Sequence, residues 1–567
     1  MDLKSLIRRA RGEEPADLLL RNGRVVNVLS GQIDDTSVAL AGEFIVGLGD
    51  RPCRAEIDLH GAFVAPGFID AHVHIESALV PPSAFARAVV PRGTTTVVTD
   101  PHEIANVLGL EGIRFMFESA KFGPLNMYVM ASSCVPATAM ATSGAVLHGY
   151  DLFPLKSDPW VLGLAEVMNY HGVIGGDDAV LEKIGAFQDR VIDGHSPGLS
   201  GVALQAYVAA GVQSDHESTT AGEALEKLRL GMMVMIREGS VARDLAALVP
   251  AVTPANQHRF CFCTDDCQPA DLLERGGIDH AIRSAIAIGM DPVTAIRLAT
   301  WNPAQHFRLH QRGAVTPGRR ADIVVFDDLQ APLPRLVFRN GALVARDGRM
   351  VVPPRPPSRT LRSTMNVAWD AVDVRIQAGG RRARVIGVTA DCLVTGALDD
   401  EPPCLDGFAL ADPARDLLKI AVIERHMASG AMGRGFVRGL GLREGALASS
   451  VAHDHHNLIV AGADDVSMMT AARRVGALHG GMVVASGERV LAEVPLPIGG
   501  LMSAEPVEQV KTQVDSAVAA ARALGSPLHD PFMAMSFLAL EVIPSLKITD
   551  KGLVDSDRLA LVPLWIE

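Results

Sequence analysis

The sequence predicts an α/β protein built on a (β/α)8 barrel of the TIM type, with a small discontinuous β-sandwich and a C-terminal α+β domain. Three observations point there. Eight apolar, strand-like runs alternate with helical stretches between residues 65 and 309. That rhythm signals repeated βα units on a parallel sheet, over a span close to the ~250 residues of such barrels. Almost every run ends in a charged or metal-capable side chain, and barrels of this kind carry their active sites at the C-terminal strand ends. Short alternating strands punctuated by Gly, Asn and Asp stand both before and after the block, so the two flanks read as one domain interrupted by the barrel.

Taken in order, "ADLLLRNGRVVNVLSG", "DTSVALAGEFIVGLGD" and "AEIDLHGAFVAPG" have hairpin grammar. With "GRRADIVVFDDL" and "PRLVFRNGALVARDGRMVV" they make up the β-sandwich, assigned to residues 1–64 and 310–356. The barrel takes residues 65–309. Its runs are "FVAPGFIDAHVH", "GTTTVVTDPHE", "NMYVMASSCV", "WVLGLAEVMN", "VIDGHSP", "VQSDHES", "MVMIREGS" and "FCFCTDD". Seven of them deliver polar ends: His72 and His74, Asp100 and His102, Glu166, His195, His216, Glu238, and Asp265 and Asp266. The Pro/Arg-rich "VVPPRPPSRT" reads as a linker. Residues 357–567 then mix strands ("ARVIGVTA", "NLIVAGA", "GGMVVASG") with helices ("DDVSMMTAARRVGALH", "EPVEQVKTQVDSAVAAARALG").

Bulk properties narrow the function. The chain has 567 residues and 48% hydrophobic residues, ample for large cores. A net charge of -13 and a pI near 5.8 argue against a nucleic-acid partner, because phosphate binding needs clustered Lys and Arg. No secretory h-region opens the chain, and no apolar stretch reaches the roughly 18–20 residues of a membrane span. With seven cysteines, an odd number, this indicates a reducing cytoplasm. Cys261 and Cys263 sit in an apolar run and read as core rather than as metal ligands.

His72 and His74 stand two residues apart at a strand end, so both imidazoles project from one face and can grip one cation. Glu166 follows "VLGLA", where an unpaired buried charge is costly. H-x-H after strand one, a carboxylate on strand four, His195 and His216 on strands five and six and Asp265 on strand eight resemble the amidohydrolase superfamily. The phrases "APGFIDAHVH" and "GRRADIVVFD" resemble it too. Many members use a carboxylated Lys on strand four. Here Glu166 stands instead, and a glutamate offers two oxygens for a bridge. The narrower resemblance is to the adenine deaminase family, through "TDPHEIANVLG", "GLAEVMNY", "DGHSPGLSG", "SDHES", "MIREGS", "FCTDD", "SVAHDHHNLIVAGAD" and "LPIGGLMS".

That resemblance implies hydrolytic deamination of adenine to hypoxanthine and ammonia by a metal-bound hydroxide, in purine salvage, by a homodimer or larger homo-oligomer. It implies two divalent metal ions per chain. His/carboxylate ligands without thiolate suit zinc, manganese or iron, and the resemblance favours manganese or iron. The expected allocation is His72, His74 and Asp265 on one ion, His195 and His216 on the other, and Glu166 on both. Asp265 is the expected proton carrier. Asp100 and His102 are ligands, proton relays or orienters. Asp266 either bonds substrate or caps the next helix. Glu238 and Ser240 are candidates for reading the substrate's edge, with Arg237 pairing to Glu238. "HDHHN" (His453 to Asn457) is a turn, a domain contact or a second metal site. The rival readings are another amidohydrolase acting on a cyclic amide, an N-acetyl sugar or a modified 6-aminopurine, and a non-catalytic barrel scaffold.

Overall fold

Strand pairing joins the two flanks of the chain before the barrel is considered. In the computed structural model, which describes residues 2–121, 123–353, 361–390 and 394–566, one nine-stranded sheet is drawn from residues 16–66 and 323–350. The seam is the antiparallel pairing of Phe63–Pro66 with Ile323–Phe326. Leu20, Val25, Val38, Leu40 and Val64 from one flank share an apolar cluster with Ile323, Val325 and Phe338 from the other. The chain thus leaves the sheet at Pro66 and returns at Ile323, so the barrel is tethered at both ends.

The run "FVAPGFIDAHVH" is two strands rather than one. Phe63–Pro66 belongs to the flanking sheet, and the barrel begins at Phe68–His74 (β1). Gly67 is the corner: a Cβ there would lie 2.2 Å from the Thr95 hydroxyl. The barrel continues through Thr94–Thr99 (β2), Asn126–Ala131 (β3), Val161–Val167 (β4), Val191–Gly194 (β5), Ser214–Asp215 (β6), Met233–Arg237 (β7) and Phe260–Cys263 (β8). β1 to β5 pair in parallel, as do β6 to β8. Two links close the ring. The Gln213 N–H donates to Ile192 O at 2.9 Å, and beyond β8 Asp265 and Asp266 pair with Val73 and His74. Ile69, Ala71, Met130, Met233, Met235, Cys261 and Cys263 fill the interior. The two cysteines are therefore core, and burial pushes both thiols well up.

The C-terminal part holds an eight-stranded sheet running from Gly396–Asp400 at one edge to Arg489–Pro495 at the other. The helix Asp465–Ala477 starts where the Asp464 side chain accepts from Ser467 N–H at 2.8 Å. It buries Met468, Ala471, Ala472 and Val475, the 3–4 spacing of an amphipathic face. The proposed linker lies outside the described residues from 354 to 360. Among the described residues no helix is long and apolar enough to cross a membrane.

Candidate metal centre and active site

A bulge sets the imidazoles. Asp70 of β1 pairs with Val97 and Val73 with Thr99, so β1 carries one extra residue between them. The extra residue shifts the side-chain phase. Ile69 and Ala71 face the barrel interior, and above them His72 and His74 face it as well. Their Nε2 atoms lie 3.1 Å apart. Each ring is held from behind: His72 Nδ1 by Asp193 at 3.0 Å and His74 Nδ1 by the Asp100 carbonyl at 3.0 Å. The second contact makes His74 Nδ1 the donor, so Nε2 is the nitrogen turned to the cluster, the arrangement of metal-binding histidines.

Glu166 lies between two imidazole pairs. Its Oε1 is 3.2 Å from His74 Nε2 and 3.6 Å from His72 Nε2. Its Oε2 is 2.8 Å from His195 Nδ1 and 3.4 Å from His216 Nε2. Asp265 Oδ1 closes the first group, 3.1 Å from His74 Nε2 and 3.6 Å from His72 Nε2. Ligands of one cation at about 2.1 Å stand roughly 3–3.5 Å apart, so these residues are spaced as they would be to hold one. His72, His74 and Glu166 form one potential ligand group, and Glu166, His195 and His216 another. The electrostatics agree. Burial pushes Glu166 and Asp265 up. Hydrogen bonds from His195, His216 and His74 hold Glu166 well below the ordinary carboxylate range, and His74 with the Arg237 guanidinium does so for Asp265. Burial pushes His216 down, yet Glu166 raises it to about 10. The pocket concentrates negative charge that cations or protons must neutralise.

The other predicted residues take varied places. Asp100 sits behind the cluster, with Oδ2 2.8 Å from His102 Nδ1 and Oδ1 accepting from the Ser132 hydroxyl at 2.8 Å. His102 reaches Glu166 Oε1 at 3.5 Å. Asp266 lines the cavity and accepts from the Ser77 hydroxyl. Glu238 and Ser240 are not brought into the cluster. Met233, Met235 and Arg237 point inward along β7, so the next residue, Glu238, points out and meets Arg275 at 3.1 Å. The Ser240 hydroxyl accepts from Gln268 N–H at 2.8 Å. Arg237 does not pair with Glu238. It binds Glu217, Asp244 and, at 3.1 Å, Asp265 Oδ2.

Sequence reasoning missed Asp193 and Glu217. Asp193 stands two residues before His195, and Glu217 directly follows His216; strand phase in the first case and adjacency in the second were the available signals. Because Asp193 orients His72, Asp193→Asn is expected to weaken metal binding by about 10–100-fold, read by chelator competition.

The HDHHN loop is a buried domain contact. His453 Nδ1 lies 2.8 Å from Glu103 Oε1, and His456 Nε2 is also hydrogen-bonded to Glu103. Ala452 N–H donates to His456 Nδ1, so His456 Nε2 is the nitrogen that meets Glu103. His453 and Asp454, with Phe537, Leu540 and Ile543, line a cavity shared with the His/carboxylate cluster.

A closed barrel that gathers four histidines and two carboxylates at one end defines a metal-dependent hydrolase. The amidohydrolase family model matches residues 63–351, and that of the adenine deaminase C-terminal domain matches residues 392–560. The chain is 48% identical over 563 residues to an adenine deaminase of Desulfatibacillum aliphaticivorans, covering 99% of each chain. To adenine deaminase 2 of Carboxydothermus hydrogenoformans it is 45% identical over 565 residues, again covering 99% of each. A crystal structure of an adenine deaminase aligns with 58% of this chain and 99% of its own, at 16% identity and a TM-score of 0.44. The chain belongs to the amidohydrolase family and, within it, to the adenine deaminases.

Proposed function

We propose that this enzyme hydrolyses adenine to hypoxanthine and ammonia. The observation that carries the reading is Glu166, with one oxygen turned to His72 and His74, which Asp265 Oδ1 also approaches, and the other to His195 and His216. His72, His74 and Asp265 would hold one divalent cation, His195 and His216 a second, and Glu166 both. Cations bound there lower the pKa of water and stabilise negative charge developing on the substrate. The oxygen- and nitrogen-rich donor set without thiolate suits zinc, manganese or iron, and the resemblance to the adenine deaminases favours manganese or iron.

The chain's own groups supply the rest. Arg237 fixes Asp265 Oδ2, so Oδ1 faces the cavity. From there Asp265 takes the proton of the attacking water and returns it to the purine ring or the departing amine. A C6–O bond forms, the C6–N bond breaks, and nitrogen leaves as ammonia. His102, oriented by Asp100, and Asp266 flank this path. Phe537, Leu540 and Ile543 line the purine's apolar faces and exclude bulk water. We assign the reaction to purine salvage in the cytoplasm and the enzyme to a homodimer or larger assembly.

The test is ammonia release from adenine by manganese- or iron-loaded enzyme, with adenosine, cytosine and hydantoin alongside. Turnover of adenine alone supports the reading; its absence at full metal occupancy overturns it. Glu166→Gln removes a charge from the shared ligand and is expected to reduce metal content below two per chain, measured by elemental analysis, with activity falling in parallel.

A further inference from the structure

We propose that His453 and Asp454 of the C-terminal domain read the edge of the purine farthest from the reacting carbon. In this reading Asp454 accepts from N9–H and His453 donates to N3. The inference rests on adenine being the substrate.

Two atoms point to it. His453 Nε2 and Asp454 Oδ2 are buried and have no hydrogen-bond partner within the protein. Their residues are only 3% and 2% exposed, and both line the cavity over the His/carboxylate cluster. A buried polar group left without a partner costs about 1–3 kcal/mol, more when charged. Atoms held at that cost in a cavity wall are placed for a ligand.

The remaining contacts aim them. His453 Nδ1 is occupied by Glu103 Oε1 at 2.8 Å. Glu103 is itself fixed by His456, whose ring is oriented by the Ala452 N–H. The His453 ring lies parallel to Phe537, 10° between planes and 4.6 Å between centroids. Its plane, and so the direction of Nε2, is set. Asp454 Oδ1 faces His453 Nδ1 at 3.7 Å and His102 Nε2 at 3.8 Å, which leaves Oδ2 outstanding. Burial pushes the His453 imidazole down, and Glu103, Asp454 and Asp266 push it up by more, while Glu103 occupies Nδ1 and leaves Nε2 turned to the cavity. Nε2 is then a donor beside a carboxylate acceptor.

Free adenine has a matching edge. When C6 faces the catalytic cluster, the opposite side of the base presents N3, an acceptor, next to N9–H, a donor. A nucleoside has no N9–H. It would leave the Asp454 charge unpaired and push a sugar into the wall formed by residues 453 and 454. A site built to bond an N–H rejects the analogue lacking it by up to about 10⁴–10⁵-fold.

The experiment compares kcat/KM of the manganese-loaded full-length enzyme for adenine, 9-methyladenine and 3-deazaadenine. Asp454→Ala, Asp454→Asn and His453→Ala are compared with the parent, each checked for metal content. Asp454→Asn keeps the side-chain volume, and ratios within one variant cancel losses of folded enzyme. Expected is a drop of at least about tenfold in the adenine/9-methyladenine ratio for both Asp454 variants. The adenine/3-deazaadenine ratio should collapse in His453→Ala, with KM for adenine rising more than kcat falls. Unchanged ratios in metal-loaded variants overturn the inference and leave the adenine reading standing. A parent enzyme that releases no ammonia from adenine overturns both.

Discussion

Asp265→Asn is expected to lower kcat for adenine by about 10²–10⁴-fold, the usual worth of a positioned proton carrier, while the protein keeps its metals. The asparagine retains an oxygen where Oδ1 stood, so it can still complete the His72, His74 and Glu166 group. It cannot accept a proton at neutral pH. Arg237 would lose a charged partner but keep Glu217 and Asp244, so the fold around the site should survive. Steady-state kinetics and elemental analysis on one preparation check the outcome. Wild-type turnover would remove Asp265 from the proton path, whereas loss of metal in step with activity would make it a ligand only.

The largest stability effect is expected at Lys227→Met. Lys227 is fully buried, and its Nζ donates to Asp215 at 2.7 Å, Ser196 O at 2.8 Å and Glu223 at 2.9 Å. Asp215 in turn accepts from the Ser196 N–H and hydroxyl and the Ser218 hydroxyl. The group thereby positions the residues next to His195 and His216. Removing the ammonium strands a buried carboxylate, a loss of about 3–5 kcal/mol, read from denaturant midpoints at constant m-value. The pH dependence has a defined sign. Burial pushes Asp215 up, but Lys227 brings it below the ordinary carboxylate value. Its stabilisation is present above the unfolded pKa near 4 and is lost as pH falls toward the depressed folded value. In Lys227→Met burial acts unopposed by the ammonium and the sign reverses, so mild acid should narrow the gap between variant and parent.

Much of the site was legible in the sequence because the strand period and barrel geometry are local rules repeated eight times. His72 and His74 share a face by alternation, and the ends of strands four, five, six and eight converge when the barrel closes. The same rule, applied with the phase of β7, would have turned Glu238 outward. Location at a strand end is not enough unless the side chain alternates toward the interior, as Arg237 does. The bulge in β1 was not legible, because no residue between Asp70 and Val73 announces an extra position. Pro66 and Gly67 were an available signal for the corner between the flanking sheet and the barrel, but the run reads through them as a single strand.

By itself, the sequence determined the barrel, the run of histidines and carboxylates at the strand ends, the buried cysteines and the two main C-terminal helices. All follow from periodicity and from residue chemistry read within a few neighbours. The tertiary structure alone decided which carboxylates back which imidazoles. It also decided that Arg237 serves Asp265 and Glu217, and that a loop 350 residues from Glu103 covers the His/carboxylate cluster. The physical reason is distance along the chain. A hydrogen bond between residues hundreds apart leaves no period in either segment, and only the folded packing brings its donor to its acceptor.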